Sequence, residues 1–251
     1  MTQVPELVAH RGDMIRYPEN TLSAFKAVID AGARFVEFDI QMSGDGIPIV
    51  IHDLDLERVA GVAAHVKDMN ASELEKIKAE GSSPPFLSTH DALIPTLKTT
   101  ISFMNAHTSV MAFVEIKTEG TAHCGMARSV DRFLAELESA EFPFCVISYS
   151  IDIVRHVRKS TPCPAGWVLS AYNAHTRAAC VSLAPEYVFC DISRLPSGNE
   201  ALWPIGCRWV IYDIRDPGPA MTLFERGAEM IETGDIITLL NSPPFASQAH
   251  D

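Results

Sequence analysis

Eight short apolar runs rich in β-branched residues, alternating with stretches of helical spacing from one end of the chain to the other, restrict the fold most. The runs are ELVAH (6–10), FVEFDI (35–40), MAFVEIK (111–117), FCVISYS (144–150), AGWVLS (165–170), YVFCDIS (187–193), RWVIYDI (208–214) and MIETGD (230–235). Between the first two, Leu22, Phe25, Val28 and Ile29 share one helical face after Asn20, a capping residue type, and Gly32 closes the stretch. Met126, Val130, Phe133, Leu134 and Leu137 form a similar stripe, and GPAMTLFERGA a shorter one. Eight such alternations in 251 residues are the arithmetic of an α/β (β/α)8 TIM barrel. A doubly wound open sheet is the competing architecture.

One run stands outside the count. IPIVIH (47–52) follows FVEFDIQ across only MSGDG, far too short a link for a parallel crossover, so it returns as an antiparallel β-hairpin after the second strand. A turn centred on Gly44 to Gly46 sets Asp39 opposite His52. Residues 53–105 then form the one long excursion, with a predicted helix over NASELEKIKAE, a Pro and Ser turn at SSPPF and a second helix from IPTL. This excursion reads as a small insertion subdomain, or lid, within a single domain spanning 1–251.

Composition narrows the function classes. With 47% hydrophobic residues and no tract near the roughly eighteen apolar residues of a membrane span, the chain is expected to bury a full core and not to insert stably into a bilayer. Its net charge of −12 argues against a nucleic-acid or anionic-lipid partner, so any anion must be met by a local cluster of cations. The six cysteines are nowhere closer than ten residues, which excludes C-x-x-C metal and redox motifs. The N-terminal MTQVPELVAHRG carries no secretion signal, and a reduced, cytoplasmic setting is expected. A homo-oligomer is left open.

Ionisable groups inside buried strands carry the functional signal. Alternate residues of a strand share a face, so Glu37 projects with Asp39, and Glu115 with Lys117. His10 ends the first run, and His52 ends the hairpin. All lie towards the C-terminal ends of their strands, the face on which barrel enzymes assemble chemistry. Three carboxylates together repel unless a hard divalent cation accepts their oxygens. Two histidines beside such a cation supply a proton acceptor and a donor near neutral pH, while Arg11 and Lys117 attract an anionic substrate. The combination points to a phosphate ester.

Singly, an E-x-D pair is more often the polar face of a strand, and Lys117 has the alternative reading of a plain ion partner for Glu115. His90 with Asp91 follows a Pro-rich turn and reads as structural, as do His65, His107, His123, His156, His175 and His250. The SGDG stretch is ordinary hairpin chemistry. Trp209 and Tyr212 either line a pocket or fill the barrel, and Asp213 and Asp235 stand at strand ends with a ligand contact open to them.

The motifs HRG, PENT, EFD, GDGIPIVIHD, IPTL and VEIK, in this order, resemble those of the glycerophosphodiester phosphodiesterase family, densely over residues 9–53. The resemblance implies a barrel and metal-dependent hydrolysis of small glycerophosphodiesters, such as glycerophosphocholine or glycerophosphoethanolamine, to glycerol 3-phosphate and an alcohol. It implies His10 and His52 as the acid/base pair, Glu37, Asp39 and Glu115 as ligands of one Mg²⁺, Ca²⁺ or Mn²⁺, and Arg11 and Lys117 as phosphate contacts. It further implies Asn20 as a site-organising residue. The chain departs from the family pattern at LERVAGVAAH after the hairpin, and near its end at WVIYDI and ETGDI. Two other readings share these residues: a phospholipase D-like enzyme acting on lysophospholipid or sphingolipid, and a barrel that binds a phosphorylated metabolite without cleaving it.

Overall fold

The computed structural model describes residues 3–80 and 92–247. Eight parallel strands close into a barrel in the order β1 (Glu6–His10), β2 (Phe35–Met42), β4 (Met111–Ile116), β5 (Phe144–Ser148), β6 (Ala165–Leu169), β7 (Tyr187–Asp191), β8 (Arg208–Tyr212) and β9 (Met230–Thr233). Pairing of β1 with both β9 and β2 completes the ring, so every one of the eight apolar runs is a barrel strand and the open-sheet alternative falls. Inward side chains such as Val8, Phe113, Ile147, Phe189 and Met230 fill the interior as a packed plug. A second, larger apolar layer seals the outer strand faces against the helices.

The ninth strand, β3 (Pro48–Val50), runs antiparallel to β2. β1 occupies one edge of β2 only as far as Glu37, and β3 takes over that edge from Ile40 to Met42, so the hairpin rises above the mouth. Its register differs by one residue from the expected one. Ile40 pairs with Val50, and Ile51 N donates to Asp39 O at 3.0 Å, so Ile51 rather than His52 lies across from Asp39. The turn itself sets this offset: Ser43 Oγ donates to Asp45 and accepts from Ile47 N at 2.8 Å, closing a loop that the glycines alone do not specify.

Helix α1 (Leu22–Asp30) buries Phe25 and Val28 of its expected stripe together with Ala24, and packs the half-buried Leu22 and Ile29 against the same core. Its cap is not Asn20. Thr21 takes the extended N-cap conformation and accepts from Ala24 N, while Asn20 sits at φ +58°, a left-handed conformation that Asn tolerates. Gly12, at φ +86° between β1 and this turn, has no room for a side chain, since a Cβ there would stand 2.6 Å from that of Ala24.

In the excursion, α2 (Glu57–Ala60) and α3 (Ala71–Leu74) are single turns. The helix expected through Glu80 stops at Leu74, because beyond it Ile94 N donates to Ile77 O and Ala79 N donates to Ala92 O; tertiary pairing overrides helical spacing. Ile49, Leu56, Val59, Val66, Leu74 and Ile94 give this region its own apolar cluster. The expected SSPPF turn, His90 and Asp91 lie outside the described residues, as does His250. Helix α4 (Leu97–Met104), capped by Thr96, already packs in the main core. The remaining helices are α5 (Thr118–Thr121), α6 (Met126–Leu137), α7 (Ile151–Ser160), α8 (Ala174–Leu183), α9 (Pro217–Glu225) and α10 (Ile236–Leu240). Among the described residues no helix is long and apolar enough to cross a membrane.

Candidate active site

Strand register brings the expected side chains together. In the parallel ring His10 lies beside Glu37, and Asp39 beside Glu115, so the ends of β1, β2 and β4 aim one row of ionisable groups into the mouth. One oxygen from each of Glu37, Asp39 and Glu115 lies within 4.8 Å of the other two. Arg11 and Lys117 directly follow β1 and β4, and His52 follows the hairpin strand. His10, Arg11, Glu37, His52, Glu115 and Lys117 line two adjoining hollows of about 480 and 330 Å³, which share His52, Glu115, Lys117 and Tyr149.

Asp39 is the anchor. It is wholly buried, accepts from Asn20 Nδ2 at 2.9 Å on Oδ2, and forms ion pairs with Arg11 Nε at 3.0 Å through Oδ2 and with Lys117 Nζ at 2.7 Å through Oδ1. Asn20 also accepts from Asp39 N at 3.2 Å, so its side chain clamps the aspartate instead of capping the helix. Lys117 reaches Glu115 Oε1 at 2.9 Å, so the ion pair read as its plain alternative does exist, and it extends to Asp39. Glu37 Oε2 accepts from Arg11 N at 3.3 Å and stands 4.0 Å from His10 Nε2, whereas its Oε1 is buried without a hydrogen-bond partner.

The protonation preferences follow from burial and charge. Burial pushes the Asp39 carboxyl up, but Arg11, Lys117 and His52 outweigh it and hold Asp39 below the usual carboxylate range. Burial raises Glu37 well above that range, with Asp39 adding to the effect. Glu115 is pushed up to about 7 by burial, against the pull of Lys117. Burial lowers both His10 and His52, reinforced in each by Arg11.

A chain of charged contacts orients His52. Its Nδ1 meets Asp53 Oδ1 at 2.5 Å, Asp53 Oδ2 accepts from Arg58 Nε at 2.5 Å, Arg58 forks onto Glu19 at 2.7 and 2.8 Å, and Glu19 returns to Arg11 at 3.1 Å. Gln41 Nε2 donates to His52 O at 2.6 Å and fixes its backbone. Arg58 belongs to LERVAGVAAH, a stretch in which the sequence marks no role.

Other candidates separate. Tyr212 lines the cavity and its hydroxyl meets that of Tyr149 at 2.5 Å, while Trp209 packs with Tyr172 and Trp203. Asp213 lines the cavity, but Asp235 is engaged by Arg16 at 2.8 Å. His156 pairs with Asp131 at 2.7 Å and His123 contacts Ser43 O, both away from the cavity lining. Sequence reasoning missed Glu232, a buried carboxylate of β9 that lines the same cavity. Its only signal is a charged residue in mid-strand on the inward face with Met230.

Residues 10–202 match the Glycerophosphoryl diester phosphodiesterase family. A glycerophosphodiester phosphodiesterase of Caldanaerobacter subterraneus subsp. tengcongensis is 41% identical over 73 residues, 29% of this chain and 30% of that protein. One from Bacillus altitudinis is 32% identical over 125 residues, half of each chain. The chain thus spans half or less of these relatives' own length. In fold it is similar to an Oleispira antarctica phosphodiesterase solved with the product sn-glycerol-3-phosphate, at a TM-score of 0.81 and 21% identity, covering 95% of this chain and 96% of that one.

Proposed function

Because the chain belongs to the glycerophosphoryl diester phosphodiesterase family, we propose that it is a phosphoric diester hydrolase that cleaves small, water-soluble glycerophosphodiesters to glycerol 3-phosphate and an alcohol. The observation that carries this reading is the meeting of three buried carboxylates, two cations and two imidazoles at one barrel mouth. The glycerol 3-phosphate bound to the Oleispira antarctica phosphodiesterase supports the same product here.

Glu37, Asp39 and Glu115 suit one hard divalent cation, Mg²⁺, Ca²⁺ or Mn²⁺: all three offer oxygen, and Glu37 Oε1 is buried with no hydrogen-bond partner. Such an ion supplies Lewis acidity towards the phosphoryl oxygens, a contribution of several kcal/mol to the transition state. The chain's own residues do the rest. Arg11 and Lys117, held in place by Asp39, attract the phosphodiester and orient it. His10 and His52 divide the proton transfers: one takes the proton of the nucleophile, whether water or the adjacent glycerol hydroxyl, and the other gives one to the leaving oxygen. Since Asp53 occupies Nδ1 of His52, its Nε2 is the atom that exchanges protons. Of the expected 53–105 insertion, the described residues up to Ile94 share their own apolar cluster and serve as a small subdomain over the mouth of a single domain, with His52 and Arg58 at its base, whereas Leu97–Met104 belongs to the main core.

Release of glycerol 3-phosphate from glycerophosphocholine and glycerophosphoethanolamine, followed by a coupled assay with and without EDTA, tests the proposal. Release that EDTA abolishes and a divalent cation restores is expected. No release with any of Mg²⁺, Ca²⁺ or Mn²⁺ would leave a binding protein in place of the enzyme.

A further inference from the structure

Glu232 has no part in the reaction just described, yet it is 3% exposed and its Oε1 has no hydrogen-bond partner. Burying a carboxylate without a partner is costly, so its place calls for a proton, a cation or a ligand. The barrel register fixes what lies around it. β1 runs between β2 and β9, with His10 beside Glu37 on one side and Val8 beside Glu232 on the other. Val8 and His10 point to the same face, so Glu37 and Glu232 approach the imidazole from opposite neighbours. One ligand atom from each of His10, Glu37 and Glu232 falls within 4.8 Å of the other two, and all three side chains line the same cavity.

Glu37 is therefore common to two sets of three donors, one with Asp39 and Glu115, the other with His10 and Glu232. We propose that His10, Glu37 and Glu232 form a second cation site, joined through Glu37 to the all-carboxylate one. The donor chemistry separates the two. Three oxygens favour a hard ion such as Mg²⁺ or Ca²⁺, whereas an imidazole nitrogen with two carboxylates favours a borderline transition ion, of which Zn²⁺ is the plain case. Cations that share a carboxylate in two-metal centres stand about 3.5–4 Å apart, a spacing that two oxygens of one glutamate span. Three protein ligands leave a fourth position of a tetrahedral ion facing the cavity.

The inference goes beyond the proposed reaction, and its test is read without turnover. Full-length protein stripped with EDTA is dialysed against Zn²⁺ and its metal content measured by mass spectrometry. Two ions per chain are expected in the wild type and one in Glu232→Gln. Zinc-edge anomalous diffraction from wild-type crystals, which does not depend on the variant folding, is expected to give two peaks sharing Glu37. One peak at the three carboxylates, or the same ion count in Glu232→Gln as in wild type, overturns the site and leaves Glu232 protonated.

Discussion

In the proposed reaction Asp53 and Arg58 act through His52, and this makes their contribution separable. Asp53 raises the affinity of His52 for its proton, against the larger lowering by burial. In Asp53→Asn that support is lost, so the limb of the pH–rate profile governed by His52 moves to lower pH, with kcat reduced roughly 10- to 100-fold. An unshifted profile would mean that the contact is structural only. His10→Ala and His52→Ala are expected to lose about 10²–10⁴ in kcat with an unchanged melting temperature, since both side chains line an open cavity and neither fills the apolar plug. His10 is also a donor of the proposed second site, so Zn²⁺ added to the Mg²⁺-loaded enzyme should lower turnover at least tenfold. Full activity with two ions bound would show that His10 carries no essential proton.

At the scale of elements, the turn after β1 assigns different tasks to two adjacent residues. Asn20 clamps Asp39, and Thr21 caps α1 while donating to Pro18 O at 2.7 Å. Thr21→Ala is expected to cost about 1–2 kcal/mol of stability, a drop of some 2–8 °C, with kcat little changed. Asn20→Gly, which keeps the left-handed backbone, is expected to do the reverse, with activity falling while the melting temperature holds. Equal effects on stability would return Asn20 to the role of a cap. The sequence could not separate the two, because both are capping types and the distinction rests on a positive φ. The same limit explains the rest of what was and was not legible. Barrel strands declare themselves through continuous β-branched runs buried on both faces. The one-residue offset of the hairpin depends on Ser43 and Asp45 closing the turn, and the lost helix after Leu74 on a pairing with residues 92–94, contacts that no local pattern announces. The convergence of His10, Glu37, Asp39, His52 and Glu115 at one mouth was legible because several strand ends carry charge at once. Glu232, in a run whose marked acid was its closing Asp235, was not.

For the whole molecule the site is a store of unfavourable charge. Glu37, Glu115 and Glu232 all hold their protons more tightly than an exposed glutamate, each first through burial, with Glu115 pushed up to about 7. Without a cation, these three groups make the folded state bind more protons than the unfolded one as they titrate, while His10 and His52, both lowered by burial, act oppositely below the ordinary imidazole value, two groups against three. The contribution of Glu115 is fully present below the ordinary carboxylate value and is lost as pH rises through about 7. Asp39, held low, acts oppositely and costs stability only when acid protonates it. EDTA-treated protein should thus melt at a lower temperature at pH 8 than at pH 5. A divalent cation at the carboxylates reverses the trend, because binding must displace more protons at pH 5 than at pH 8. At a hundredfold excess over Kd the gain is about 2.7 kcal/mol, or roughly 5–10 °C for a chain of this size. Scanning calorimetry at both pH values, with EDTA and with Mg²⁺, measures the two differences. An equal gain at pH 5 and pH 8 would mean that the ion binds elsewhere, and a metal-free protein more stable at pH 8 would mean that these carboxylates are not buried together.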